Sequence, residues 1–290
     1  MIEFKPMTRH IGAEVTGVDL AKPLNEEQVA TLRQALLDHL VLIFREQQHI
    51  GDDEQVALAG KFGVIDSTNP VLVLDQTDPT DEGPDQWHAD GTFWTKPTMG
   101  ALLRATILPK VGGDTLWANM YLAYESLASS TQRLCDELYA EHDQTMTTTK
   151  LIAKGHRLDL RARQEEIPPR IHPVVYVHPE TGRKALYVNR AHVSRLVGLS
   201  QRENEALLPL LFDTVRDPKF QVRLTWRAGT LALWDNRSTQ HYAVPDYTER
   251  RTMHRVALHV SPEIDDGVPI GPGGVTGADA PAESPAARYL

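Results

Sequence analysis

The chain is poor in the features that direct a protein to an oxidising compartment or into a membrane. Cys135 is the only cysteine among 290 residues. No intrachain disulfide can form, and a reducing compartment is the simplest reading. The opening stretch MIEFKPMTRHIGAEV has no apolar core of signal-peptide length. The longest apolar run near it, Leu40 to Phe44, is far too short to span a bilayer. Basic charge is scarce as well: 30 Lys and Arg face 39 Asp and Glu, a formal net charge of −9. This argues against a nucleic-acid or anionic-membrane partner, although a pocket can still be locally basic. There is no internal repeat and no βαβ alternation, so a parallel doubly wound sheet is disfavoured. A cytoplasmic protein is expected.

What the sequence does hold is an apolar share of 41% and a charged share of 24%, the balance of a soluble globular fold. Residues 1–262 read as one domain. From 263 to 290 Gly, Pro and Ala dominate without periodicity, and a poorly ordered tail is expected. Asn25 with Gln28, and Ser200 with Glu203, form capping boxes that open helices. Further helices are expected over Asp52 to Phe62, Met120 to Leu127 and Thr131 to Ala140. Strands are expected over Glu14 to Leu20, Val41 to Phe44, Gln86 to Phe93, Gly100 to Leu108, Asp114 to Ala118 and Arg251 to Val260. Two hairpins are predicted, one joining Ile171–His178 to Lys184–Asn189 and one joining Gln221–Trp226 to Leu231–Trp234. The result is a mainly β fold with flanking helices, a double-sheet barrel. Lys150 to Arg170 is charge-rich and reads either as a solvated surface or as a lid over a site.

The chemistry concentrates in two stretches. Trp87-His88-Ala89-Asp90 offers an H-x-D, and on a strand residues i and i+2 project to one side. Far downstream, WDNRSTQHYAVPDYTERRTMHRVALHV holds His241, with His254 and His259 as nearby competitors. Two His and one carboxylate leave coordination positions open, the usual arrangement of non-heme Fe(II) oxygenases. Arg251 and Arg255 share one strand face with Met253 in an otherwise apolar, aromatic-rich segment. A buried unpaired guanidinium is costly, and its fork suits a carboxylate, so the pair calls for an anionic partner. Two rival readings use the same residues: a zinc hydrolase, and a non-catalytic barrel that binds an anionic metabolite.

The blocks IGAEVTGVDL, WHADGTF, GGDTLWAN, HPVVYVHPETGRKALYVN and WDNRSTQHYAVPDY…RRTMHR stand in this order along nearly the whole chain. In them the sequence resembles the taurine dioxygenase (TauD/TfdA) group of Fe(II)- and 2-oxoglutarate-dependent dioxygenases. The resemblance implies a double-stranded β-helix core of the jelly-roll, cupin-like kind, with Fe(II), 2-oxoglutarate and O2 as cofactor and co-substrates. It implies His88, Asp90 and His241 as iron ligands. Thr115 and Arg251 are implied for the far carboxylate of 2-oxoglutarate, and Arg255 for a sulfonate or carboxylate of the substrate. The interval from His241 to Arg251 is one residue shorter than in the taurine enzymes, which leaves Arg250 as a competitor. Pro84 stands where those enzymes have an Asn, Gly91 replaces a branched residue, His192 falls at an aromatic wall position, and Val64 to Leu74 lacks their His and Tyr. Taurine is therefore disfavoured, and a small anionic substrate such as a sulfonate, sulfate ester or aryloxy acid is expected. Members of the group are usually dimers or tetramers, so the resemblance implies a homodimer or homotetramer here.

Overall fold

The computed structural model describes residues 1–77 and 86–259. The tail expected from 263 onward, and most of the loop expected before the metal motif, Pro84 included, lie outside the described residues. The chain runs β1 (Glu3–Pro6), β2 (Ala13–Thr16), α1 (Glu26–His39), β3 (Val41–Phe44), α2 (Asp52–Ala59), β4 (Leu72–Gln76), β5 (Gly100–Ile107) and β6 (Thr115–Asn119). It continues through α3 (Met120–Glu125), α4 (Ser129–Glu137), β7 (Tyr139–His142), α5 (Thr145–Ala153), α6 (Leu160–Glu166), β8 (Arg170–Pro173), β9 (Val175–Val177), β10 (Lys184–Leu186) and β11 (Val193–Leu196). It ends with α7 (Gln201–Asp213), β12 (Gln221–Leu224), β13 (Leu231–Asp235), β14 (Thr239–Ala243) and β15 (Arg251–Leu258). Both capping boxes form: Asn25 and Gln28 bond reciprocally at α1, as do Ser200 and Glu203 at α7.

A seven-stranded sheet in the order β1-β2-β3-β13-β5-β15-β4 faces a smaller sheet, β12-β6-β14. Strand periodicity sorts the large sheet's side chains between two cores. Val41, Ile43, Ala101, Leu103, Ala105, Ala232, Trp234 and Met253 turn inward and pack with Trp117, Ala118 and Val222 of the small sheet. Leu42, Phe44, Leu102, Leu231, Leu233, Val256 and Leu258 turn outward and pack with Leu32 and Leu36 of α1 and Leu58 of α2. The inner layer is tied by Trp117 and Trp234, whose rings lie 5.7 Å apart. The architecture is the jelly roll with flanking helices. Among the described residues no helix is long and apolar enough to cross a membrane.

Several local expectations are corrected. Gln221–Trp226 and Leu231–Trp234 do not form a hairpin: β12 pairs with β6, whereas β13 lies between β3 and β5. Every residue of β13 is buried, so the strand needs cover on both faces and takes a central place in the large sheet. Gln86 to Phe93 is not a strand: His88 makes a single isolated bridge to His241, and residues 90–93 turn. The helix expected to Ala140 ends at Glu137, and Tyr139–His142 is a strand paired with β8 and β11. Only the second half of the Ile171–His178 segment joins the expected hairpin, as β9 with β10.

Candidate metal centre and its cavity

The inward face of β15 carries Arg251, Met253 and Arg255 together, as two-residue periodicity requires. Both arginines reach a cavity also lined by His88, Asp90, Thr115, His192, Trp234 and His241. His241 sits on β14, and its backbone exchanges hydrogen bonds with that of His88. The two imidazole centroids are 4.0 Å apart. Asp90 Oδ1 lies 3.7 Å from His88 Nε2 and 3.8 Å from His241 Nε2. One ligand atom from each of the three residues falls within 4.8 Å of the others, and all three residues are buried.

Their protonation suits a cation. His88 Nδ1 is 2.9 Å from the carbonyl of Gln86; a carbonyl only accepts, so Nδ1 carries the proton and the Nε2 lone pair faces Asp90. Burial, and next the charge of His88, pushes His241 down to about 3. Burial also lowers His88. Burial opposes ionisation of Asp90, but Arg255, with smaller contributions from His241 and His88, holds its carboxyl well below the usual carboxylate range. At neutral pH the site thus offers two neutral imidazoles and one carboxylate. Asp90 Oδ2 is buried without a hydrogen-bond partner among the described residues. An orphaned buried carboxylate oxygen is costly unless a cation meets it. The donor set fits a divalent transition metal that accepts nitrogen and oxygen ligands.

The strand expected to aim Asp90 is replaced by two other devices. Asn236 Nδ2 donates to the carbonyls of Asp90 (2.8 Å) and Thr98 (3.0 Å), and its Oδ1 accepts from Asp90 N–H (3.0 Å). Gly91 has φ +64°, and a Cβ there would stand 2.7 Å from Thr98 Oγ1 and 2.9 Å from the Trp94 ring. Gly91, expected in the substrate pocket, is not among the residues lining the cavity; its lack of a side chain is required by the turn instead. Asn236 was absent from the sequence-derived site. Its only signal is its place in the WDNRS block, between the strand that carries Trp234 and the strand that carries His241.

A second cradle lies beside the first. Arg251 is 4% exposed. Its Nε donates to Gly113 O at 3.1 Å, its Nη2 lies 3.5 Å from Thr115 Oγ1, and its guanidinium faces the Tyr247 ring at 5.9 Å. Trp226 Nε1 donates to the same Thr115 hydroxyl at 2.9 Å. Burial lowers the Arg251 pKa, with Tyr247 opposing. A guanidinium so placed is set for an incoming anion. The double glycine of GGDT brings the chain close: at Gly112, φ +84°, a Cβ would stand 2.4 Å from Asp246 O.

The competitors fall elsewhere. Arg250 is exposed and pairs with Asp75 at 2.6 Å. His254 bonds Asp52, and His259 bridges Val64. Arg255 donates from Nη1 to Asp90 Oδ1 at 2.8 Å, so it acts on the carboxylate of the cluster as well as facing the cavity. His192 is buried, with its ring 4.9 Å from Phe93 and 6.2 Å from His88. The segment read as solvated surface or lid splits into α5 and α6, and α5 supplies Met146, Thr147, Lys150 and Leu151 to the cavity wall, with Lys154 just past its C-terminus. Those residues begin before the boundary expected at Lys150.

Comparison with known proteins agrees with this geometry. The chain is 37% identical over 274 residues to an alkylsulfatase of Acinetobacter baylyi, an alignment spanning 89% of this chain and 84% of the relative. It is 34% identical to an alpha-ketoglutarate-dependent sulfate ester dioxygenase of Pseudomonas putida, covering 89% of each. Among solved structures, a taurine dioxygenase from Burkholderia xenovorans superposes with a TM-score of 0.75 at 35% identity, over 90% of this chain and 91% of that one. AAD-2 in complex with Mn(II) and N-oxalylglycine superposes with a TM-score of 0.80 at 27% identity, over 90% and 98%. The profile of one family, "Taurine catabolism dioxygenase TauD, TfdA family", matches residues 3–257. By that match and by these relatives, the chain belongs to the TauD, TfdA family of dioxygenases.

Proposed function

We propose that this chain is an Fe(II)- and 2-oxoglutarate-dependent dioxygenase that hydroxylates a C–H bond of a small anionic substrate. The observation that carries the reading is the meeting of His88, Asp90 and His241 beside the buried Thr115–Arg251 pair. Fe(II) held by those three side chains supplies O2 activation, with 2-oxoglutarate as co-reductant: R–H, O2 and 2-oxoglutarate give R–OH, succinate and CO2. His88 and His241 donate neutral imidazole lone pairs, and Asp90 supplies the compensating negative charge. Arg255 keeps Asp90 Oδ1 oriented, and an anionic substrate group at the cavity floor meets its remaining donors. Arg251 and Thr115 hold the far carboxylate of the keto acid, a charge-assisted contact in a buried setting. His192 forms part of the wall against which the substrate lies.

Relatives named for sulfate esters, for (S)-phenoxypropionate and for sulfonates support a sulfate ester, sulfonate or aryloxy acid here. Where the hydroxylated carbon bears sulfate, the product R–CH(OH)–OSO3⁻ loses hydrogen sulfate as the C=O bond forms, giving an aldehyde. A zinc hydrolase with the same three ligands would leave the Thr115–Arg251 cradle without an occupant. We read residues 1–262 as one catalytic domain in a cytoplasmic homodimer or homotetramer. The single, buried, free Cys135 supports the compartment, and size-exclusion chromatography measures the assembly. The test of function is succinate formation under air with Fe(II), 2-oxoglutarate and a panel of alkyl sulfates, sulfonates and aryloxyacetates. Stimulation by one class, lost in Asp90→Ala, is expected; unchanged 2-oxoglutarate consumption by Asp90→Ala would overturn the ligand set.

A further inference from the structure

Trp226 stands just past β12, whose last residue, Leu224, lies opposite Thr115 of β6. The two side chains beyond the strand go to successive residues of the GGDT block. Thr225 donates from Oγ1 to Asp114 Oδ2 at 3.2 Å, and Trp226 donates from Nε1 to Thr115 Oγ1 at 2.9 Å. Arg223 holds the same Asp114 oxygen at 2.6 Å, so the end of β12 is tied to the start of β6 on both sides of the indole. The Trp226 ring is buried in the inner core. It is not among the residues lining the cavity, whereas Thr115 is.

The hydrogen bonds of Thr115 fix what its hydroxyl can do. A threonine hydroxyl has two lone pairs and one proton, and indole N–H and guanidinium groups only donate. Trp226 Nε1 and Arg251 Nη2, the latter at 3.5 Å, both face Thr115 Oγ1. The bonds that Oγ1 makes among the described residues are therefore both accepted ones, and its own proton is left for the cavity. Burial alone does not dictate the Trp226 contact. In the same core the N–H groups of Trp117 and Trp234 are buried without a partner among the described residues.

Resting on the dioxygenase reading, we propose that Trp226 is a positioning residue for 2-oxoglutarate. By occupying a lone pair of Thr115 Oγ1 it makes the Thr115 hydroxyl a donor, so that Thr115 and Arg251 both present hydrogens to the far carboxylate. A carboxylate accepts at both oxygens and gains from each donor, whereas a keto acid ending in a methyl group gains from neither. Trp226 thus contributes to the choice of a keto diacid over a keto monoacid without touching either one.

The test compares binding of 2-oxoglutarate with that of 2-oxopentanoate, which has a methyl group in place of the far carboxylate. Both are titrated into the anaerobic Fe(II) enzyme and read from the visible charge-transfer absorption. Trp226→Phe keeps an aromatic ring and removes the N–H. It is expected to raise the Kd for 2-oxoglutarate about fivefold, the loss of one neutral hydrogen bond, and to leave the Kd for 2-oxopentanoate unchanged. In a Thr115→Val background the same substitution should change the 2-oxoglutarate Kd no further, because the effect runs through one oxygen. An indole that merely filled the core would affect both keto acids alike, with or without the Thr115 hydroxyl. Should Trp226→Phe fail to fold, Thr115→Val decides by itself. With Zn(II) replacing Fe(II), one of the five indole N–H signals in the proton–nitrogen correlation spectrum should move upfield when its acceptor is removed. The proposal is overturned if Trp226→Phe binds 2-oxoglutarate as the wild type does, if it weakens both keto acids equally, if the two substitutions add, or if no indole signal moves in Thr115→Val. Absence of the absorption band in the wild type would sink the dioxygenase reading and this proposal with it. A normal band with an unchanged Kd in Trp226→Phe would sink the role of Trp226 alone.

Discussion

His88 and His241 exchange both backbone hydrogen bonds, His88 N–H to His241 O at 3.0 Å and His241 N–H to His88 O at 2.7 Å. The two imidazoles therefore stand on one rung of an antiparallel ladder, where neighbouring side chains are held a few ångströms apart. The rung continues the pairing of β14 with β6, in which His241 lies opposite Trp117. Ligand spacing is thus set by sheet register. A slip of one residue would turn the imidazoles to the other face.

Asp90 depends on Arg255 for its orientation, since Arg255 Nη1 donates to Asp90 Oδ1 at 2.8 Å. Arg255→Ala is expected to weaken Fe(II) binding about 10–100-fold, the usual consequence of removing a partner that orients a metal ligand. It should also uncouple 2-oxoglutarate consumption from substrate oxidation, with 2-oxoglutarate binding largely kept. Anaerobic metal titration and the ratio of product to succinate measure the two effects. Equal loss of substrate and 2-oxoglutarate binding would mean that the roles of Arg251 and Arg255 are exchanged.

Arg251→Ala removes the buried guanidinium that meets Thr115. A hydrogen bond to a charged group contributes about 1.5–3 kcal/mol, so KM for 2-oxoglutarate should rise about 10–100-fold. Thr115→Val should give a smaller rise. Substrate affinity measured at saturating 2-oxoglutarate is expected to stay near wild type; a matched fall in both would place the keto acid elsewhere.

Asn236→Ala leaves the backbone N–H and carbonyl of Asp90 and the carbonyl of Thr98 without their side-chain partner. Each unsatisfied buried group costs about 1–3 kcal/mol. A lower Tm and weaker Fe(II) affinity are both expected. A loss of Tm alone would mean that the Asp90 backbone does not rely on Asn236.

Asp235 is buried and takes hydrogen bonds from His178 at 3.0 Å and Arg237 at 2.6 Å. Burial opposes its ionisation, but Arg237 and then His178 outweigh that and hold its carboxyl well below the usual carboxylate range. Its folded-state pKa is depressed, so its contribution is fully present above the unfolded value of about 3.9. That contribution is lost as pH falls below that value toward the folded pKa. Asp235→Asn should lower stability at neutral pH by about 1.5–3 kcal/mol, the contribution of a hydrogen bond to a charged group, because Arg237 loses this buried partner and keeps Glu180, and should flatten the fall of Tm between about pH 5 and pH 3. A Tm profile parallel to wild type across that window would refute the assignment.

Gly91→Ala forces a side chain onto φ +64° and toward Thr98 Oγ1. Strain of about 1–3 kcal/mol is expected, with reduced metal affinity because the turn carries Asp90. Thermal melting with and without Fe(II) separates the two effects.

Much of this protein was determined by local sequence. Asn25 with Gln28 and Ser200 with Glu203 declare their helices, because a capping box is satisfied within four residues. The face shared by Arg251, Met253 and Arg255 follows from strand periodicity alone. His88, Asp90 and His241 were legible as residue types that suit one metal, and the ordered motif blocks pointed to the family. Tertiary structure decided the rest. Gln221–Trp226 and Leu231–Trp234 look like partners because a glycine-containing turn joins them, yet burial on both faces draws β13 to the middle of the large sheet. Asp90 is aimed by Asn236 and a left-handed Gly91 rather than by a strand, and neither contact leaves a periodic trace. The sequence alone does not distinguish Arg250 from Arg251; the fold does, pairing Arg250 with Asp75 at the surface and turning Arg251 into the cavity. The stretch from Lys150 reads equally as solvated surface or as lid, because nothing in a helix's own sequence states which wall it will cover. Local hydrogen bonding and periodicity are encoded within a few residues, whereas pairing between distant strands and the assembly of a cavity depend on which buried surfaces meet once the chain has closed.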